Sequence, residues 1–176
     1  MHRIILGCLL LLSIAGWSQE EKSFKDRLYF NGGLQAGFSN SLFVIGASPS
    51  VGYMWTEKLS TGLGISFIYY SLNSPAGKYQ TSIYGGNAFT RYLFFDNFFA
   101  QTEYHMVNSD VPVYDTSTQS LQIKRSWIPM WYVGGGYRAP LGGRAFATIT
   151  VLYDLIDNRY SPYSNPTIRG GISFGF

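Results

Sequence analysis

Residues 167–176 read Thr-Ile-Arg-Gly-Gly-Ile-Ser-Phe-Gly-Phe, and their alternation decides the fold class. In an extended strand, successive side chains point to opposite faces. One face therefore carries Ile168, Ile172, Phe174 and Phe176, and the other carries Arg169, Gly171, Ser173 and Gly175. An apolar face opposite a face of small and polar residues is typical of a barrel strand with lipid on one side and a crowded lumen on the other.

The same alternation recurs upstream. In the segment 42–55, for example, Phe43, Ile45 and Val51 alternate with Gly46, Ser48 and Ser50. No segment shows a sustained helical period of 3.6 residues, and the segments match the ~9–11 residues that a membrane-crossing strand needs. The sequence predicts an all-β fold, an eight-stranded antiparallel up-and-down transmembrane β-barrel. The predicted strands are 28–38, 42–55, 60–72, 80–93, 97–107, 126–138, 144–155 and 165–176.

The connections between these strands alternate in length. Residues 56–59, 95–97 and 140–143 form short turns, whereas 73–79, 109–125 and 157–166 are longer and polar. Only Ser39 to Ser41 breaks the alternation, because it is short where a long loop is expected. Short periplasmic turns opposite longer external loops are the pattern of an outer-membrane barrel. Pro49 and Pro129 fall inside predicted strands, where we expect a β-bulge to absorb each missing N–H donor.

The N-terminal residues 1–18 are predicted to be a secretory signal peptide, followed by a short periplasmic segment, 19–27, and the barrel, 28–176. The apolar run Ile4–Trp17 is shorter than the ~20 residues that span a bilayer as a helix, and it contains the one cysteine, Cys8. The sequence therefore indicates export to the bacterial outer membrane.

The main alternative is a soluble lipocalin-like barrel or β-sandwich with its apolar face turned inward. Charged residues are only 13% of the chain and aromatic residues 18%, and the polar face is rich in Gly and Ser. A soluble surface would be richer in Lys and Glu, and aromatic residues near strand ends favour a membrane interface. The formal net charge of +3 shows no basic patch, so no nucleic-acid partner is expected.

Three stretches resemble known outer-membrane proteins. Arg169, Gly171, Phe174 and Phe176 resemble the C-terminal assembly signal that the barrel-assembly machinery recognises. Residues 49–64 and 89–94 resemble strand, turn and strand units of small outer-membrane β-barrels, the OmpA/OmpX-like porin-family domains of Bacteroidetes type. The resemblance implies the fold and the outer-membrane location, but it implies no single activity.

Charged residues of inward parity are the candidate site. We expect them to neutralise one another and to fill the lumen, because an unpaired ion in a low-dielectric barrel is costly. They are Arg91, Glu103, His105, Arg138, Asp154 and Arg169. No catalytic, cofactor-binding or metal-binding residues are predicted.

The predicted function is a structural or adhesive scaffold that presents extracellular loops; a narrow porin-like channel and a lipid-modifying enzyme are the alternatives. His105 and Ser109 lie near a membrane rim with Glu103 and Asp110 close in sequence, but His105 faces inward and no His-x-Ser pair is present. We therefore predict no enzymatic activity.

The long connection 109–125 is the predicted site for an extracellular ligand. Val111, Val113 and Tyr114 could pair with Leu121 and Ile123 as a hairpin beyond the membrane, with Pro112 at its edge. Outer-membrane lipid is the other expected partner, and the barrel is expected to be a monomer.

Overall fold

The computed structural model describes residues 23–39, 41–75, 77–115 and 119–175. The predicted signal peptide, residues 19–22 and Phe176 lie outside the described residues. Eight strands pair in chain order and close on themselves as an antiparallel up-and-down barrel, which confirms the predicted fold class. The strands are β1 Leu28–Phe38, β2 Leu42–Met54, β3 Leu59–Ser74, β4 Gly77–Phe94, β5 Phe98–Asp115, β6 Ser120–Gly142, β7 Ala145–Asp154 and β8 Thr167–Phe174.

The connections define two ends of the barrel. The turn end carries residues 55–58, 95–97 and 143–144, and the opposite hairpin end carries the tips of β1–β2, β3–β4 and β5–β6 and the connection 155–166. A short 3-10 helix, Phe24–Arg27, precedes β1 at the turn end. Across the described residues, no helix is long and apolar enough to cross a membrane.

The apolar faces of the strands point outward. Leu34, Ile65 and Ile168 are 88%, 66% and 68% exposed, whereas Ser66 and Ser173 are buried inside the ring. The alternative in which these apolar faces turn inward, as in a soluble barrel or sandwich, is therefore wrong. Ladders between neighbouring strands satisfy most of the backbone polar groups, so the exposed belt consists mainly of side chains.

The lumen is less polar than the sequence predicts. Nine buried apolar residues form a cluster inside the hairpin-side half: Val44, Ile68, Ile83, Val107, Val111, Ile128, Met130, Tyr132 and Leu152. Several of these apolar residues lie on the inward face of a strand whose inward positions closer to the turn end are Gly or Ser. An eight-stranded ring is only wide enough for side chains, so apolar groups fill this region by packing against each other.

Two predicted loops are strands in the structure. β3 and β4 stay paired to Ser74 and Gly77, so 73–79 is not a polar loop. β5 and β6 stay paired to Asp115 and Ser120, and the segment 109–125 is a long hairpin in which Tyr114 faces Leu121 and Pro112 faces Ile123. The predicted hairpin within 109–125 is confirmed, whereas the long open loop is not. Pairing the two arms lets their backbone N–H and C=O groups form hydrogen bonds with each other.

The β-bulges expected at Pro49 and Pro129 are wrong. The β2–β3 pairing keeps one register on both sides of Pro49, from Ala47 opposite Phe67 to Ser50 opposite Gly64. Pro129 sits in continuous register with β5, and the pairing of β6 with β7 begins only at Tyr132. Pro129 therefore has an open neighbouring edge, where a missing donor breaks no ladder bond. A register shift occurs instead at Pro140–Gly142, beside the β6–β7 turn.

Gly134, Gly135 and Gly136 lie where three strands approach closely. A Cβ at Gly134 would overlap the Val151 carbonyl oxygen, and one at Gly136 would overlap that of Ile149. The glycine run therefore relieves crowding inside a strand, because any side chain there would push β6 and β7 apart.

The seam between β1 and β8 is the shortest in the barrel. Only Phe30, Asn31 and Gly32 pair with β8, opposite Phe174, Ser173 and Ile172. From Gly33 to Phe38 β1 pairs with β2 alone, and from Thr167 to Gly171 β8 pairs with β7. The wall between these two edges has no ladder among the described strands.

Candidate functional site

A cavity of about 500 Å³ lies inside the barrel. Inward-facing residues of seven strands line it, and so do Pro162, Tyr163 and Ser164 of the 155–166 connection. The lining is mixed, since Ser48, Asn87 and Thr150 stand beside Ile68 and Leu152. A mixed wall of this size matches ordinary ligand sites, which span roughly 300–1,000 Å³.

Glu103 is the centre of the charged part of this cavity. Its carboxylate is 2% exposed, and its Oε1 lies 2.8 Å from Arg169 Nη1. The amide of Gln101 donates to Oε2 over 2.9 Å. Gln101, Glu103 and His105 alternate on β5, so period two places all three inside. The buried carboxylate therefore has a charged partner and a second donor, as a buried ion requires.

Arg91 joins this group through Gln101. Its Nε and Nη2 donate to the Gln101 side-chain oxygen over 3.0 and 2.9 Å. Its guanidinium also lies 4.1 Å from the centre of the Phe99 ring, a distance that suits a cation–π contact. Arg91, Gln101, Glu103 and Arg169 thus form one connected chain of polar contacts.

His105 lies on the other side of Glu103. Its Nε2 is 3.1 Å from the Ser66 hydroxyl, and its ring stacks against Tyr163 with centroids 5.8 Å apart. Its Nδ1 is 3.6 Å from Glu103 Oε1.

Ser66, His105 and Glu103 have the residue types of a hydrolytic triad, but not its geometry. At 3.6 Å the His105–Glu103 separation exceeds a hydrogen bond, and Nδ1 has no hydrogen-bond partner. The Glu103 carboxylate is instead held by Arg169 and Gln101. A triad needs its carboxylate to hold the imidazole by a hydrogen bond, so these three side chains do not form a triad in this structure.

Two of the six predicted lumen charges lie apart from Glu103. Asp154 accepts hydrogen bonds from the backbone N–H groups of Trp131 and Ile156, and so caps the end of β7. Arg138 donates to the carbonyl of Asp96 in the β4–β5 turn and lies 4.6 Å from the Phe146 ring centre. The structure thus gathers Arg91, Glu103, His105 and Arg169, and leaves Asp154 at the end of β7 and Arg138 beside the β4–β5 turn.

Two contributors to the cavity were missed by sequence reasoning. Ser66 and Tyr163 are far from His105 in the chain, and only the closed barrel brings them beside it. Gln101 shares the inward parity of Glu103 but is not among the predicted site residues. Its alternation with two ionisable residues was the signal that could have included it.

A second polar group fixes the base of the β5–β6 hairpin. Arg125 donates to the Asn108 side chain over 2.7 Å and to the Ser82 carbonyl, and it lies 3.6 Å from Asp110. Tyr79 donates to Asp110 over 2.9 Å. Partial burial raises the pKa of the Tyr79 phenol, and the hydrogen bond to Asp110 raises it further.

Metal binding finds no support in the part of the chain that the structure describes. No group of three or more His, Cys, Asp or Glu side chains there could hold an ion.

Comparison with known proteins adds little. No protein-family model matches the chain, and no curated protein matches it. Among solved structures, the N-terminal β-barrel domain of Pseudomonas aeruginosa OprF is similar at 10% sequence identity with a TM-score of 0.42, over 84% of this chain and 96% of that one. A likeness this weak carries no argument about activity or location, so the resemblance to Bacteroidetes-type barrels stays a prediction.

Proposed function

We propose that this chain is an integral outer-membrane barrel with a structural and adhesive role. The barrel holds the β5–β6 hairpin outside the membrane, where its edges receive an extended segment of an extracellular protein.

The exposed belt supports a membrane location. Apolar side chains on the outer wall would be unstable in water over so large a contiguous area. Aromatic residues cluster on this wall at the turn end, as expected at a lipid–water interface. Examples that are at least 38% exposed there are Phe30, Trp55, Tyr92, Phe94, Phe98, Tyr137 and Phe174.

The observation that carries the adhesive role is the length of the β5–β6 hairpin. The pairing of β4 with β5 ends at Tyr84 and Asn108, and the pairing of β6 with β7 begins at Tyr132 and Asp154. Beyond those points the hairpin has two edges without a further strand among the described residues. Open edges accept an added strand, and alternate side chains then supply specificity.

The hairpin also presents apolar contact groups. Tyr114, Leu121 and Ile123 are 59%, 73% and 61% exposed near its tip. Aromatic and branched side chains beside an open edge are the groups that anchor a partner strand.

The test compares the intact protein with a variant in which residues 111–124 are replaced by Asn-Gly. Asn-Gly is the preferred two-residue hairpin turn, so the shortened barrel should still close. Bacteria that gain adhesion to surfaces or to each other from the intact protein should lose it with the variant. Both proteins should migrate differently on gels before and after boiling, which shows that each barrel is folded. Equal adhesion by the two folded proteins would contradict the proposal.

Topology is checked with two single-cysteine variants, Lys124→Cys and Lys58→Cys, in a Cys8-free background. Lys124 lies on the hairpin and Lys58 in a turn at the opposite end, and both positions are exposed. A membrane-impermeant maleimide added to intact cells should label position 124 alone. Labelling of position 58 alone would place the hairpin on the periplasmic side and would overturn the adhesive role.

A further inference from the structure

The lumen cavity reaches the outer wall of the barrel through the β1–β8 seam. Its lining includes the inward residues Arg169 and Glu103 and also Leu34 and Ile168, which point outward and are 88% and 68% exposed. No ladder joins β1 to β8 along residues 33–38 of β1, which is about 20 Å of strand at ~3.3 Å per residue. The cavity is thus continuous with the surface that faces lipid.

Glycines keep this opening clear. Gly32 and Gly170 lie on the outward face at the seam, and a Cβ at either would meet nothing within 4 Å. Gly33 and Gly171 line the inner side. None of these four residues carries a side chain into the seam, and the two backbones are close at this end of it, because a Cβ at Gly171 would lie 3.0 Å from the Gly32 carbonyl oxygen.

The unpaired backbone N–H and C=O groups at the edges of the seam need polar partners on the lumen side. Unpaired peptide groups at membrane depth are tolerated only where they face protein or a wet cavity. Side chains partly meet this need, because Ser48 donates to the Gly33 carbonyl over 3.4 Å and Thr148 to that of Gly171 over 3.2 Å. The seam is therefore polar on its inner side and apolar on its outer side.

The cavity also carries an excess of positive charge. Its charged lining consists of Arg91, Arg169 and one carboxylate, Glu103, beside the buried His105. Arg169 uses Nη1 for Glu103, while its buried Nη2 has no hydrogen-bond partner. One guanidinium charge and one donor are thus left for a ligand.

We propose that the seam and cavity bind a single-chain anionic amphiphile taken from the bilayer. Its anionic head lies in the cavity between Arg91 and Arg169, and its alkyl chain leaves between Leu34 and Ile168. A long-chain alkyl carboxylate fits both halves, because the head satisfies the free guanidinium donor and the tail stays in hydrocarbon.

The probe is a hexadecanoate carrying a photoreactive diazirine near its head, with the protein in phosphatidylcholine nanodiscs. Illumination followed by peptide mass mapping should place the cross-links at the seam, on residues 33–35 and 167–171. Unlabelled hexadecanoate should compete, whereas hexadecanol, which lacks the charge, and acetate, which lacks the chain, should compete at least about tenfold less well.

Two variants test the two halves of the site. Gly170→Trp should cover the seam and reduce cross-linking about tenfold, while Gly86→Trp, on the outer wall of β4 with its Cβ 3.4 Å from the nearest atom, should not. Arg91→Gln should weaken competition by hexadecanoate about tenfold, because it leaves Arg169 and Glu103 paired and the cavity neutral. Arg138→Gln, an inward arginine that does not line the cavity, is the matched control.

Three outcomes would overturn the proposal. Cross-links spread evenly over the outer wall would show ordinary lipid contact. Equal competition by hexadecanol or by acetate would show that the charge or the chain plays no part. Equal losses in each variant and its control would show a general effect on the barrel, and heat-modifiable migration establishes that every variant tested is folded.

Discussion

At the scale of the residue, Glu103 shows how a charged side chain in a narrow lumen is stabilised by direct partners. Its 2% exposed carboxylate is paired with Arg169 and accepts from Gln101, so its desolvation is offset by two direct contacts. The Asp26–Arg144 pair at the turn end is different, because its atoms are 3.9 Å apart and its side chains 54% and 56% exposed. Solvent screens such a pair almost completely.

Glu103→Gln should therefore destabilise the barrel by about 3–5 kcal/mol, since it leaves the Arg169 charge without its counterion. Asp26→Asn should cost less than about 1 kcal/mol. Urea unfolding in lipid vesicles, followed by tryptophan fluorescence, measures both. The double variant Glu103→Gln, Arg169→Gln should recover much of the loss, and the absence of any recovery would show that the ion pair is not the source.

At the scale of the element, the β5–β6 hairpin departs furthest from the predicted strand bounds. Burial ends within the hairpin, since Val111 is buried whereas Val113 and Tyr114 are 39% and 59% exposed. Arg125 ties the base of the hairpin to β4 through the Ser82 carbonyl and lies 5.2 Å from the Tyr84 ring centre. A hairpin with two open edges is marginal by itself, so this anchor stabilises its orientation.

Arg125→Ala should loosen the hairpin and leave the barrel intact. Backbone amides in 111–123 should exchange with deuterium at least about tenfold faster, because charge-assisted hydrogen bonds at the hairpin base are lost. Amides of β7 and of the turn-side half of β5 should not change. Lys124→Ala, one position away and exposed, is the control and should leave the hairpin protected; equal exchange in both variants would show that Arg125 is not the anchor.

At the scale of the whole molecule, the apolar cluster closes the hairpin-side half of the lumen. Met130, Tyr132 and Leu152 are fully buried there, and Tyr163 packs against the cluster from the 155–166 connection. These packed side chains therefore leave no room for a straight water-filled path along the barrel axis. The cavity opens instead at the seam in the wall.

The barrel should accordingly show no stepwise conductance in planar bilayers at neutral pH, which argues for a scaffold over a channel. A variant with Ile128→Ala, Met130→Ala and Tyr132→Ala removes one side of the cluster and should begin to leak. Regular conductance steps from the unmodified, heat-modifiable protein would favour the channel instead.

The sequence by itself determined the strand number, the orientation of each face and the inward parity of Glu103, His105 and Arg169. These follow from the alternation of side chains along a strand. It is a local property, because residues i and i+2 of an extended chain share a face. Tertiary structure alone decided which inward residues meet. Glu103 and Arg169 are 66 positions apart, and Ser66 and His105 are 39 apart.

Strand ends were also decided by pairing. The ranges 73–79 and 109–125 look like loops locally, yet residues 73–74 pair with 77–78 and residues 109–115 pair with 120–126. The short β1–β8 ladder and the open seam have no local signature at all. Where two strands stop pairing depends on the register and closure of the whole ring, and no single segment of sequence contains that information.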